Sequence, residues 1–179
     1  MNILLIRGPA NNKAIDLSHY TFSEPLGLQM LYSVLSKENS VEIFDMLADK
    51  TTLEKKLNEK QFDFCGISSA CSDIFMIKDL ARKIKKVKDI PIFIGGYQVK
   101  KTPELFKSKH IDFIMIETNK ENLYKMMEAV KKNNNDKLKG VLRKSLNFEE
   151  CELTAIEETF EISRDSVKKY KKKYSYFIY

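Results

Sequence analysis

Five short apolar runs recur along this chain, and each is followed by apolar residues at helical spacing. That alternation constrains the fold more than any other feature. The runs are Asn2 to Arg7, Val41 to Asp45, Phe62 to Ser68, Pro91 to Gly95 and Ile111 to Ile116. They are β-branched, aromatic and too short for buried helices. Their near-continuous apolarity is how strands buried on both faces read. Parallel strands need crossovers, which helices supply with a right-handed turn in nearly all cases. The expected fold is therefore α/β: a three-layer, flavodoxin-like (Rossmann-like) domain with a five-stranded parallel sheet in the order 2-1-3-4-5, plus a C-terminal extension.

The helix starts carry their own signals. Ser23-Glu24-Pro25 opens the first helix, with Ser as N-cap and Leu28, Leu31, Tyr32 and Leu35 as its buried stripe. Thr51 and Glu54 form a capping box before Leu53 and Leu57. Ser69 to Ser72 turns into a helix bearing Ile74, Ile77, Leu80, Ala81, Ile84 and Val87. Thr102-Pro103-Glu104 opens a short helix, and Thr118 with Glu121 caps the one bearing Leu123, Met126, Met127 and Val130. The domain is expected over residues 1–133. Residues 134–179 read as a linker and extension: a short strand at Gly140 to Lys144, a helix from Ser163 to Lys173, then the start of a further strand from Tyr174. That last strand has no partner, so the C-terminus is expected to be cut from a longer architecture.

Composition removes several classes. A hydrophobic share of 43% can build a core, yet no run approaches the roughly 20 apolar residues that span a bilayer. The apolar start is too short for a secretory signal. Cys65, Cys71 and Cys151 are odd in number and lack Cys-x-x-Cys spacing, which fits a reducing cytoplasm and argues against disulfides or zinc. The net charge of +6 gathers near the C-terminus, in Lys168 to Tyr174. Such a basic, aromatic run could neutralise phosphates and stack bases. A solvated helix face, with tyrosines turned toward a missing neighbour, is the preferred reading.

In an open parallel sheet, ligands sit at the carboxyl ends of the strands. The first strand ends Arg7-Gly8-Pro9-Ala10, which is neither a dinucleotide fingerprint nor a P-loop. Ser68-Ser69 stands where a phospho-acceptor aspartate would be. What remains is a row of small residues: Gly66, Ser68 and Ser69 at the third strand, Gly95 and Gly96 at the fourth. A strand ending in two glycines lets its backbone approach something closely. The resulting slot would offer hydroxyls and exposed amides to a large flat or extended ligand. Two plainer readings stand beside this one: Gly95-Gly96 merely ends a strand, and Ser68-Ser69 caps the next helix. Cys65 is placed in the core, Cys71 is inert, and His110 closes a helix at the negative end of its dipole. Glu117 ends the fifth strand without a visible partner for general-base work. No catalytic or metal-ligating residue is assigned.

The ordered set Ile-Leu-Leu-Ile-Arg-Gly-Pro, Glu24-Pro25-Leu26-Gly27-Leu28, Val41 to Asp45, Gly66 to Ser69, Pro91 to Gly96 and Thr102-Pro103-Glu104-Leu105 resembles the N-terminal cobalamin-binding domain of radical S-adenosylmethionine enzymes. The resemblance covers essentially the whole chain. It implies that the nucleotide tail of cobalamin lies along Ser68, Ser69, Gly95 and Gly96, with Tyr97 and Gln98 beside them. Gly66 and the Glu117-Thr118 turn after strand five complete the expected cofactor-binding set. It also implies a radical barrel as partner, in cis or in trans, carrying the iron–sulfur cluster and S-adenosylmethionine. The three-cysteine cluster for that chemistry is absent from this chain, so the module is expected not to catalyse alone. Two further departures matter. The family's Gly-Glu-Gly-Glu turn is replaced by Glu117-Thr118-Asn119-Lys120-Glu121. The cobalt-ligating Asp-x-His-x-x-Gly is missing, and His19, three residues after Asp16, has the wrong spacing. A rival expectation is a degenerate cobalamin-domain fold without cofactor, acting through protein contacts.

Overall fold

The computed structural model describes residues 1–9, 23–69, 74–153 and 160–174. His19 and Cys71 lie outside these residues, as does the strand expected after Tyr174. β1 (Asn2–Arg7) is flanked on both sides by parallel neighbours, β2 (Ser40–Asp45) and β3 (Phe64–Ser68). β4 (Ile92–Gly95) and β5 (Phe113–Met115) extend the sheet in parallel. β6 (Val141–Arg143) then joins β5 antiparallel. The sheet is thus six-stranded, in the order β2-β1-β3-β4-β5-β6, one strand more than the apolar runs announce. Gly140, at φ 65°, makes the reversal that allows β6 to run back. Its carbonyl accepts from the backbone N–H groups of both Ile116 and Glu117. A side chain there would meet the Asn122 amide at 2.6 Å, so glycine is required on two counts.

The period of two along each strand divides the core. Ile3, Leu5, Ile43, Phe64, Phe93 and Met115 face α1 (Leu26–Leu35) and α5 (Lys120–Lys132). Leu4, Ile6, Phe44, Cys65, Ile67, Ile94 and Ile114 face α2 (Leu53–Asn58), α3 (Ile74–Val87) and the segment after β4. α3 buries Ile77, Leu80, Ala81 and Ile84, which the helical spacing marks. Cys65 is fully buried, and burial pushes its thiol well above the usual range.

Three caps differ from expectation by one or two residues. α1 begins after Pro25, and no side chain caps it. Proline keeps the residue before it out of the helical region, so Ser23 and Glu24 stay outside. The Gln29 amide instead donates back to Glu24 at 2.9 Å. At α2 the cap is Thr52, whose hydroxyl accepts from the Lys55 N–H, while the Thr51 N–H is taken by Asp49. At α5 the cap is the buried Asn119, accepting from the Asn122 N–H at 2.8 Å. Thr118 is thereby released from capping.

After β4 the chain turns directly into α4 (Tyr97–Lys101), a helix the sequence reading lacks. Gly96, at φ 121°, makes this switch possible. A separate 3₁₀ turn, Pro103–Phe106, follows, and Thr102 makes no side-chain cap to it. His110 sits in a turn beyond, not at a helix end; burial and then neighbouring cations, Lys109 first, lower its pKa.

The C-terminal segment forms 3₁₀ turns over Arg164–Lys173. Three residues per turn place Val167 and Tyr170 in line, and both are buried. The tyrosines turn toward this domain rather than a missing neighbour. The Tyr170 hydroxyl donates to Asp49 at 2.6 Å and the Tyr174 hydroxyl to Asp45 at 2.8 Å. Lys169 pairs with Glu42 at 3.1 Å, and the Lys173 ammonium donates to the Ala48 carbonyl. The basic run is therefore partly consumed in docking on β2 and its following turn.

Candidate functional site

One register row crosses the carboxyl ends of four strands: Asp45 beside Arg7, Arg7 beside Ser68, Ser68 beside Gly95. All four residues lie on the α1/α5 side, because the strands alternate faces. The row is charged at one end and small at the other. Arg7 reaches Asp45 at 3.4 Å and donates to the Ser23 carbonyl at 2.6 Å. At the small end, between α1 and β3–β5, the structure leaves a cavity of about 260 Å³.

The cavity gathers Gly66, Ser68, Gly95, Gly96 and Thr118 from the expected set. Each is there for a distinct reason. A Cβ on Gly66 would stand 2.3 Å from the Phe93 ring, so this glycine makes room for a neighbour's aromatic side chain. Phe93 in turn stacks on Phe64 with ring centroids 5.1 Å apart. A Cβ on Gly95 would meet Met115 at 3.6 Å and the Thr118 hydroxyl at 4.0 Å, both in ordinary contact. Here the absent side chain leaves real space. Gly96 combines its positive φ with close approach to the Ser69 backbone, at 3.3 Å from a built Cβ. The Ser69 N–H donates to the Gly95 carbonyl at 2.8 Å, tying the ends of β3 and β4 together. The Ser69 hydroxyl is buried beside Gly96 and has no hydrogen-bond partner among the described residues.

Tyr97, Gln98 and Glu117, also expected, are not among its lining residues. Tyr97 is 72% exposed, at the first position of α4, with the Lys101 ammonium over its ring. The Gln98 amide is engaged with Thr102 at 3.1 Å. Glu117 packs against the Gly140 turn. Gly140, from the next turn, approaches Glu117 and Asn122 and is not part of the cavity lining.

The opposite wall was not expected. It comes from Gly27, Leu28, Met30 and Leu31 of α1, with Phe160 from the C-terminal segment. Nothing described lies within 4 Å of a Cβ built on Gly27, so the first turn of α1 also leaves space. The helical stripe marks Leu28 and Leu31, but a stripe alone does not separate core from ligand wall. Phe160 carries no signal, because its segment is irregular.

The family of the B12 binding domain matches residues 13–136. This chain belongs to the B12-binding domain family. Membership supports cobalamin binding and agrees with the fold and with a cavity at the carboxyl ends of the strands. The B12-binding domain is also 29% identical over 148 residues to an uncharacterized methyltransferase of Pyrococcus horikoshii, covering 79% of this chain and 32% of that protein. It therefore spans about a third of the length of that curated relative. No helix among the described residues is long and apolar enough to cross a membrane. No cluster of three or more His, Cys, Asp or Glu suited to a metal ion occurs among them.

Proposed function

We propose that this domain holds cobalamin with its nucleotide tail in the cavity between α1 and β3–β5. The corrin then covers the carboxyl ends of the strands, and the domain serves a radical S-adenosylmethionine or methyltransferase partner instead of catalysing alone. The observation that carries this reading is the cavity itself. It opens where Gly27 and Gly95 leave space, on the sheet end where α/β folds bind ligands. The chemistry of its walls fits the group. Ser68 and Thr118 offer hydroxyls at the mouth, the Gly95–Gly96 backbone can be approached closely, and beside them Ser69 holds a hydroxyl that has no partner among the described residues. In this reading Tyr97, Gln98 and Glu117 contact the bound group from outside the cavity lining. Bound cobalamin supplies a cobalt centre able to carry a methyl group or exchange an electron. This chain binds, orients and shields that group. Residues 134–179 act as the connector toward the partner barrel, in cis or in trans, with β6 added to the sheet on the way. The relative's description as a methyltransferase supports methyl transfer as the reaction served.

The test is reconstitution with hydroxocobalamin, removal of excess ligand and measurement of the corrin absorbance. Stoichiometric retention is expected. Gly95→Leu fills the cavity from a position that tolerates a Cβ. It should weaken retention by about tenfold or more while unfolding stays within about 1 kcal/mol of wild type. No retention after refolding with excess ligand would sink the reading. A second reading, a cofactor-free domain acting through protein contacts, is favoured by Phe75 and Tyr97, 86% and 72% exposed at the starts of α3 and α4. Cobalamin retention decides between the two.

A further inference from the structure

The cavity has two ends of opposite character. One register row inside the mouth, Gly66 lies beside Phe93. The Phe93 ring occupies the space of a Gly66 side chain and stacks on Phe64. With Leu28 and Leu31 from α1 and Met115 from β5, the inner end offers carbon and sulfur. One row outward, Ser68 lies beside Gly95, with Thr118 close to both. Polar groups therefore stand at the mouth and apolar ones line the floor. The volume, about 260 Å³, is several times the share of one water in the liquid, roughly 30 Å³. It suits a bicyclic aromatic group rather than an ion.

We propose that the floor admits only an aromatic group with few hydrogen-bonding edges. Resting on the cobalamin reading above, the domain then selects cobamides with a benzimidazole lower base over those with adenine. A benzimidazole joined through one ring nitrogen keeps a single free nitrogen acceptor. Adenine keeps several, and an exocyclic amine as well. Each polar edge that enters the floor gives up water and, among the described lining residues there, finds no side-chain donor or acceptor stronger than a thioether. The loss is about tenfold in affinity for each such group left unpaired. The ribose and phosphate of the nucleotide tail remain at the mouth, within the reach of hydroxyls and backbone amides. Leu31, half-buried on the cavity side of α1, is a specificity-determining residue in this arrangement.

The purified chain is titrated with hydroxocobalamin, with its adenine-bearing counterpart and with cobinamide, which lacks the base, by equilibrium dialysis. Hydroxocobalamin is expected to bind at least about tenfold tighter than the adenine form, and cobinamide weakest of all. Leu31→Asn offers an amide to adenine and should narrow the ratio between the two base-bearing forms. Equal affinity of those two forms in the wild-type chain overturns the selectivity and leaves cobalamin binding intact. Retention of none of the three overturns both. A ratio unchanged in folded Leu31→Asn overturns the placement of the base against α1.

Discussion

Replacing Tyr174 with Phe removes one oxygen from the contact that fastens the C-terminal segment to the domain. Asp45 is fully buried, so its carboxylate depends on protein donors. Among the described residues three are present: the Tyr174 hydroxyl at 2.8 Å, the Leu47 N–H at 3.0 Å and Arg7 at 3.4 Å. A hydrogen bond to a charged group contributes about 1.5–3 kcal/mol. Two donors survive the substitution, which puts the cost near the low end, about 1.5 kcal/mol. The loss should be local. Tyr170 still donates to Asp49, and β1, β3 and β4 keep their core, so residues 160–174 open before the sheet does. About 1.4 kcal/mol is a factor of ten in an opening equilibrium. Amide hydrogen exchange over residues 160–174 should therefore quicken about tenfold, with much smaller changes in β3 and β4. Equal acceleration throughout would show that the segment has no separable docking equilibrium. No acceleration anywhere would refute the assignment of the bond as stabilising.

The pH dependence of the same segment follows from Asp49 and the two phenols. Burial alone would raise the Asp49 carboxyl, but donation by Tyr170 and Thr51 outweighs it and holds the pKa at about 2. A depressed carboxylate stabilises above its unfolded pKa and loses that contribution as pH falls, so docking should weaken between about pH 4 and pH 2. Burial, and then Asp49 for Tyr170 and Asp45 for Tyr174, raises both phenols, so their contribution is full below about pH 10 and is lost as the pH rises further. Exchange measured across that range should show protection of residues 160–174 falling at both extremes; a flat profile contradicts the network. Gly66→Ala drives a Cβ to 2.3 Å from the Phe93 ring and should cost about 1–3 kcal/mol in urea unfolding. A change below about 0.5 kcal/mol would mean the ring moves freely. Gly96→Ala sits at φ 121° and should cost about 1–3 kcal/mol, whereas Gly95→Ala should be nearly neutral. Similar costs for the two would contradict the division between a glycine needed for backbone shape and one that leaves space.

The strand order was legible because apolar runs and helical stripes alternate without interruption. β6 was less so, since three residues, Val141–Arg143, carry little periodicity and its pairing is set by one glycine. Caps slipped by one or two residues for a local reason: Thr51 and Thr118 each have a competing neighbour, Thr52 and Asn119, and only backbone geometry chooses. At the cavity, Ser68, Gly95 and Gly96 were singled out as small residues at strand ends, and Thr118 through the family resemblance; all four line it. Gly66 was found for the wrong physical reason, because its missing side chain admits Phe93 rather than a ligand. Phe160 and the α1 wall were invisible, since a ligand-facing Leu and a core Leu have the same pattern. Tyr170 and Tyr174 were misread because a run of lysines suggests solvent. In three-residue turns the residues between those lysines share one face, and here that face meets Asp45 and Asp49.

The C-terminal segment and the cavity are two ends of one contact system. Phe160 closes the cavity wall, while Tyr170 and Tyr174 hold the same segment against β2 and its turn. A group that enters the cavity touches Phe160 only when the segment is docked. Its binding free energy then includes a contribution from docking, and docking gains the same amount in return. The coupling needs no movement of the sheet, since the Asp45–Arg7–Ser68–Gly95 row joins the anchor to the mouth through adjacent strands. A weakened anchor at Tyr174 should therefore be felt at the cavity as a smaller fraction of molecules with a complete wall, and apparent affinity falls with that fraction. The basic tail, read first as a solvated face, is thus expected to influence whatever the cavity holds through tyrosines buried beneath its lysines.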